Sequence, residues 1–150
     1  MTRLLFPAAL IAAAAIACAP AKTGVSVDDA RIAPPPGGRD VTAAYFTVHD
    51  AGGGDRLLGV SSPSASSAEL HVSEEGEGGM MSMRRVDALD VPANGALTLS
   101  PGGAHVMLFG VSGLAGGGKA KLVLRFEKAG AVEVEADVKP VGPAMDMSHP

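Results

Sequence analysis

His105 and Met107 stand two positions apart in the run Gly102-Gly103-Ala104-His105-Val106-Met107-Leu108-Phe109-Gly110. The run reads as a short β-strand opened and closed by glycine. Alternate residues of a strand share a face, so the imidazole and the thioether project together while Ala104, Val106 and Leu108 point the other way. A nitrogen beside a soft sulfur is half a coordination site: thioethers select Cu(I), and imidazole suits copper. A second pair, His71 and Met83, lies upstream. If the acidic, glycine-rich stretch centred on Glu77 closes a hairpin, His71 and Met83 fall six residues to either side of it. They would then face each other directly, with Cβ atoms about 4.5–5.5 Å apart, and both could hold one ion. The assignment depends on register, because a slip of one residue turns a side chain to the other face.

Each of these residues also has an ordinary use. A methionine in a strand commonly fills core space, and a single histidine commonly sits at the surface. Two outward-pointing pairs on strands that could be neighbours are a less ordinary coincidence. Met80 and Met81, just before Met83, offer further thioethers, either as auxiliary ligands or as a docking surface. Glu74, Glu75 and Glu77 read as a solvated turn, since clustered like charges stay in water. Tyr45 and Phe46 read as packing residues, and His49, with no sulfur nearby, as a surface residue.

The elements that must position the two pairs are all strands. Val25-Ser26-Val27 and Ala30-Arg31-Ile32 suggest a first strand, after which Pro34-Pro35-Pro36-Gly37-Gly38 forces an irregular crossing. Val41 to Val48 is rich in β-branched and aromatic residues. Asp50 to Asp55 is its turn, Arg56 to Ser61 the returning strand, and Ser62-Pro63-Ser64 a break. Glu69-Leu70-His71-Val72 alternates, with Leu70 and Val72 inward and His71 outward. Met83 to Leu89 resumes extended structure until Pro92-Ala93-Asn94-Gly95, and Leu97 and Leu99 alternate before Pro101. Leu122, Leu124 and Phe126 share one face, as do Val132, Val134, Ala136 and Val138 after the turn at Lys128-Ala129-Gly130. No sustained helical period follows residue 22. About eight short strands between glycine and proline turns predict an all-β, antiparallel Greek-key sandwich or barrel.

The first 21 residues read as a targeting segment: Arg3, an apolar run from Leu4 to Ile16, then small residues from Ala17 to Ala21. The run is shorter than the roughly 20 apolar residues of a lasting membrane span. Two readings of its end stay open. Ala15-Ile16-Ala17-Cys18 resembles a bacterial lipobox, with Cys18 lipidated and anchoring the protein to a membrane. Ala19-Pro20-Ala21 before Lys22 equally resembles an ordinary cleavage site that discards Cys18. Both place the mature protein in the bacterial periplasm or cell envelope. Loss of Arg3 takes the net charge from −4 to −5, which argues against nucleic acid as a partner. Cys18 is the single cysteine, so the folded domain has neither a disulfide nor a thiolate ligand. Blue-copper electron transfer, which needs a thiolate with two histidines, is thereby excluded. With no Cys-x-x-Cys, no thiol nucleophile and no distinct acid–base pair, an enzyme is not expected.

The order His71, eleven residues, Met83, twenty-one residues, His105, one residue, Met107 resembles the ligand signature of the PCu(A)C family of periplasmic copper chaperones. Ala44-Tyr45-Phe46-Thr47, Met81-Ser82-Met83-Arg84, Pro101 to Leu108, and Leu124-Arg125-Phe126-Glu127 with Ala129-Gly130 extend the resemblance over roughly residues 24–139. Val72 departs from it, since many relatives carry a further methionine there. The resemblance implies a cupredoxin-like fold and a near-surface Cu(I) site of His71, Met83, His105 and Met107. It also implies transfer of that copper, through another copper-assembly protein or an oxidase subunit, to the copper centres of cytochrome c oxidase. The donor set suits this use outside the cytoplasm, where a dithiol carrier risks oxidation to a disulfide. The same first shell would serve a sequestering protein that protects the envelope from copper. A metal-free interaction module is the remaining alternative.

The domains expected are therefore 1–21 as signal, 22–140 as the copper-binding β-domain, and 141–150 as a flexible tail. The tail sequence Met145-Asp146-Met147-Ser148-His149 carries two thioethers and an imidazole. It reads either as an auxiliary copper hook, taking Cu(II) through His149, or as a solvated end.

Overall fold

A computed structural model describes residues 24–141. The targeting segment with Cys18, and Met145, Met147 and His149 of the tail, lie outside the described residues. Ten strands follow in chain order: β1 (Val25–Ile32), β2 (Val41–Asp50), β3 (Asp55–Ser61), β4 (Ser67–Glu75), β5 (Met81–Val86), β6 (Leu89–Val91), β7 (Gly95–Thr98), β8 (Ala104–Phe109), β9 (Gly118–Phe126) and β10 (Gly130–Val138). They are hydrogen-bonded in the order β5-β4-β8-β2-β1-β10-β9-β3-β6, with β7 on β2. The all-β expectation holds, and the architecture is a cupredoxin-like sandwich.

Four details differ from the sequence reading. The sheet is not closed into a barrel, because β5 and β6 end the order without pairing to each other. One contact, β1 with β10, is parallel, while every other pairing is antiparallel. The stretch from Met83 to Leu89 is split, with β5 on β4 and β6 on β3. Finally, Arg56 to Ser61 does not return along β2 but crosses to the opposite layer and pairs with β9 and β6. The Asp55 side chain directs that crossing. Its oxygens accept amide hydrogens from Lys128 and Ala129 at 2.9 Å, which binds the start of β3 to the β9–β10 turn.

The core forms because each strand alternates. Ile32, Ala44, Phe46, Val48, Leu70, Val106 and Leu108 come from one half, and Leu57, Leu122, Leu124, Phe126, Ala136 and Val138 from the other, in one buried cluster. Burial of these side chains supplies the cohesion that a disulfide often provides in exported domains. A wrong register would expose them, so packing fixes which residues of β2, β8 and β4 face outward. Those outward residues include His71, His105 and Met107.

Candidate metal centre

β8 presents its alternate residues as the sequence pattern requires. Val106 and Leu108 are completely buried in the core, and His105 and Met107 share the opposite face. On that face His71 of β4 pairs directly with His105, and Glu69 pairs with Met107. The two imidazole rings lie 5.8 Å apart between centroids, tilted by 31°. Tyr45 of β2 flanks His105 at 6.5 Å, so this outward histidine is only 6 % exposed. Tyr45 is therefore a packing residue, as expected. Burial pushes its phenol pKa up, with the Arg31 charge pulling back against that rise.

Met83 is on the same face but not directly across from His71. The β4–β5 register pairs His71 with Arg85 and Ser73 with Met83, so the hairpin centres on Gly78 rather than Glu77. The cause is local. Gly78 and Gly79 take positive φ of 77° and 72°, and the Gly76 amide donates to the Met80 carbonyl at 2.8 Å. The left-handed conformations favoured by glycine place the bend one residue later. Moving the centre by one residue moves the partner by two, which preserves the face. Met83 is thus a diagonal neighbour of His71, about 7–8 Å away with the Cβ atoms somewhat closer in such pairs, and the flexible thioether can lean across the gap. Met81 pairs with Glu75, on the same face and farther along the strand. Met80, Met81 and Met83 are 74 %, 60 % and 63 % exposed. His49 stays apart, with its Nε2 3.2 Å from an Asp28 carboxylate oxygen at the surface.

The hydrogen bonds assign the imidazole lone pairs. His105 Nδ1 lies 3.0 Å from the Gly103 carbonyl. A carbonyl only accepts, so Nδ1 carries the hydrogen and the lone pair is on Nε2. His71 Nε2 lies 3.0 Å from a Glu69 carboxylate oxygen, while its Nδ1 is buried without a hydrogen-bond partner. A buried polar atom without a partner is costly. A metal ion taking that lone pair removes the cost. Among the described residues no three His, Cys, Asp or Glu side chains converge as a metal site, so the donor set on offer is mixed imidazole and thioether. Such a set suits a soft monovalent ion and disfavours Mg²⁺ and Ca²⁺, which want oxygen ligands. Sequence reasoning missed Glu69 and Arg85. The spacing Glu69-Leu70-His71 would have put a carboxylate on the histidine's face, and only the register could add Arg85.

The chain is an open β-sandwich with histidines and methionines on one outer face. The comparisons with known proteins agree. A family profile described as "Putative lipoprotein LpqE-like" matches residues 25–138, and the chain belongs to that family. A relative from Leifsonia xyli subsp. xyli, "Putative lipoprotein Lxx21020", is 34% identical over 104 residues, covering 68% of this chain and 63% of the relative. The match thus spans less than two thirds of that relative's length. Among solved structures, the copper-bound PCuAC domain of PmoF2 is similar with TM-score 0.63 and 28% identity, over 78% of this chain and 93% of that one. Apo-DR1885 of Deinococcus radiodurans is similar with TM-score 0.62 and 32% identity, over 93% and 95% of the two chains. The PCu(A)C resemblance read from the motif is therefore supported by the whole fold. The family description also agrees with the cell-envelope location implied by the targeting segment.

Proposed function

We propose that this protein is a Cu(I) carrier of the bacterial cell envelope, not an enzyme, and that it holds one ion through His71, Met83, His105 and Met107. The observation that carries this reading is the unpartnered, buried Nδ1 of His71 beside His105, on the face that also bears Met107 and Met83. Support comes from solved relatives described as a copper-bound PCuAC domain and as a Cu(I) form of DR1885. The four side chains differ in access, and that difference gives a route for delivery. His105 is 6 % exposed and anchored by Gly103, whereas Met83 is 63 % exposed on the last strand of the sheet. An acceptor ligand displaces the Met83 thioether first, and the remaining ligands follow in turn. Each step exchanges one donor for another and leaves copper monovalent.

The finer reading, carried over from the family resemblance, is that the acceptor is a copper-assembly protein or a subunit of cytochrome c oxidase. Lipidation of Cys18 would keep donor and acceptor at the same membrane, and the lipoprotein family description supports it. Met81 and the tail residues Met145, Met147 and His149 serve as auxiliary ligands that gather copper, with Cu(II) captured through His149.

The test is anaerobic Cu(I) titration of the mature protein against a competing chelator, with X-ray absorption to count neighbours. One tightly held Cu(I) with two sulfur and two nitrogen neighbours is expected. A loaded form without sulfur neighbours, or no tight binding at all, rejects the site. Carriage is separated from sequestration by mixing loaded protein with a copper-free acceptor. A carrier gives up its ion at a rate that rises with acceptor concentration, whereas a sequestering protein retains it.

A further inference from the structure

Glu69 stands two residues before His71 on the same face and pairs directly with Met107. Both its oxygens are engaged. Oε2 lies 3.0 Å from His71 Nε2, and Oε1 accepts from Arg85 Nη1 at 3.1 Å. Arg85 is itself the cross-strand partner of His71 on β5, so the Glu69 carboxylate bridges the side chains of two paired residues. Stability is a poor account of this arrangement. Arg85 is 64% exposed in the pair, and exposed ion pairs contribute at most about 1 kcal/mol. The carboxylate instead determines which nitrogen of His71 is left over. A carboxylate can only accept from the neutral ring, so the hydrogen sits on Nε2 and the lone pair on the buried Nδ1. His105 is held the opposite way, with its hydrogen on Nδ1 and its lone pair on Nε2.

We propose that Glu69, held by Arg85, is a positioning residue that fixes His71 in its Nε2–H tautomer, so that Cu(I) takes Nδ1 of His71 and Nε2 of His105. The inference rests on the four-ligand reading above. Histidines that ligate metals commonly give their other N–H to a carboxylate or carbonyl, which sets ring orientation and tautomer. Here one histidine uses a carboxylate and the other a backbone carbonyl. Their lone pairs therefore come from different ring positions, on rings whose centroids lie 5.8 Å apart. Without Glu69 the His71 ring would divide its population between two tautomers and more than one rotamer, and only part of it would be ready to bind.

The experiment begins on copper-free, ¹⁵N-labelled mature protein, whose imidazole tautomers are read by long-range proton–nitrogen correlation. Wild type is expected to show His71 with its hydrogen on Nε2 and His105 with its hydrogen on Nδ1. Glu69→Ala should mix the His71 tautomers and weaken Cu(I) binding by about ten- to a hundredfold, the range for loss of such a supporting partner. Glu69→Gln, whose amide oxygen still accepts from Nε2–H, should restore the tautomer and most of the affinity. Arg85→Ala, at an exposed position, should give a smaller loss in the same direction without unfolding the protein. A wild-type tautomer and an affinity within twofold in Glu69→Ala overturn the proposal, as does a loaded structure with copper on His71 Nε2. These results leave the carrier reading standing. Absence of Cu(I) binding by wild type would instead remove the carrier reading, and this inference with it.

Discussion

Asp55 and His71 are two polar groups withdrawn from water in opposite halves of the sandwich, and the fold treats them in opposite ways. Asp55 is 7 % exposed and receives backbone hydrogens from Arg56 at 2.7 Å and from Lys128 and Ala129 at 2.9 Å. Burial pushes its pKa up, but these three amides and the Lys128 charge outweigh that and hold the carboxyl below its ordinary value. His71 is paired at one nitrogen and left unpartnered at the other. The chain can therefore satisfy a buried polar group completely where the group's work is architectural. The incomplete satisfaction of His71, beside a second histidine and on the face that bears Met107 and Met83, is what the proposed copper site rests on.

Removing ligands from the incomplete cluster should give the largest effect. The double variant His105→Ala, Met107→Ala is expected to lose Cu(I) affinity by more than about a thousandfold, roughly 4 kcal/mol, while its strand content by circular dichroism stays that of wild type. Retention of tight binding would show that the site lies elsewhere.

The complete cluster should respond in stability and leave copper alone. Asp55→Ala strands three amides between β3 and the β9–β10 turn, at a cost of about 2–4 kcal/mol for buried donors left without partners. Cu(I) affinity of the molecules that remain folded should match wild type. The wild-type protein should show the same dependence on acid. Because folding lowers the Asp55 pKa, its contribution is present above the ordinary carboxylate value of about 3.9. It disappears as pH falls through the lower folded value, where the carboxyl gains a proton. Asp55→Ala should therefore lose less of its remaining stability across that acid window than wild type does. Equal acid sensitivity of the two proteins, measured by denaturant midpoints, would show that Asp55 is not the group responsible.

The two clusters also differ in how much of them could be read in advance. His105 and Met107 were legible because they sit on one strand, where alternation fixes the face. His71 and Met83 were legible as a face but not as a pair, since the hairpin turns on left-handed glycines at 78 and 79 rather than on Glu77. The strand-rich class followed from alternation and turn residues. The crossing of β3 did not, because it depends on Asp55 meeting amides 73 and 74 residues later in the chain. The parallel contact of β1 with β10 joins the two ends of the domain, and no local pattern encodes it. Neither could the hold of Arg85 on Glu69 be seen without knowing which residue of β5 lies opposite His71.

The methionines at the exposed end of the site should differ from one another in effect. Met83→Ala should cost about tenfold in Cu(I) affinity, about 1.4 kcal/mol, with stability changed by no more than about 0.5 kcal/mol because the side chain is largely in water. Met80→Ala, at the more exposed position in the turn, should leave both unchanged. Equal losses from the two variants would mean that the methionines act as a shared pool of thioethers rather than as one ligand with neighbours.

The smallest effect at the main site concerns the tail. The Lys139 amide donates to the Ile32 carbonyl, so the chain leaves the sheet along β1. From β10, three strand spacings across β1 and β2 reach β8, about 14 Å at 4.8 Å each. Six residues from Lys139 to Met145 can span up to about 20 Å, and Met147 and His149 extend farther. Reach is therefore sufficient for the tail to offer its donors to the face of His105 and Met107. Deleting residues 144–150 should leave Cu(I) affinity at the main site within about twofold, since none of the four proposed ligands is lost. Capture of copper from dilute solution should slow, and a second, weaker equivalent seen with Cu(II) should disappear. Unchanged stoichiometry together with an unchanged capture rate, followed by stopped-flow mixing, would reduce the tail to a solvated end.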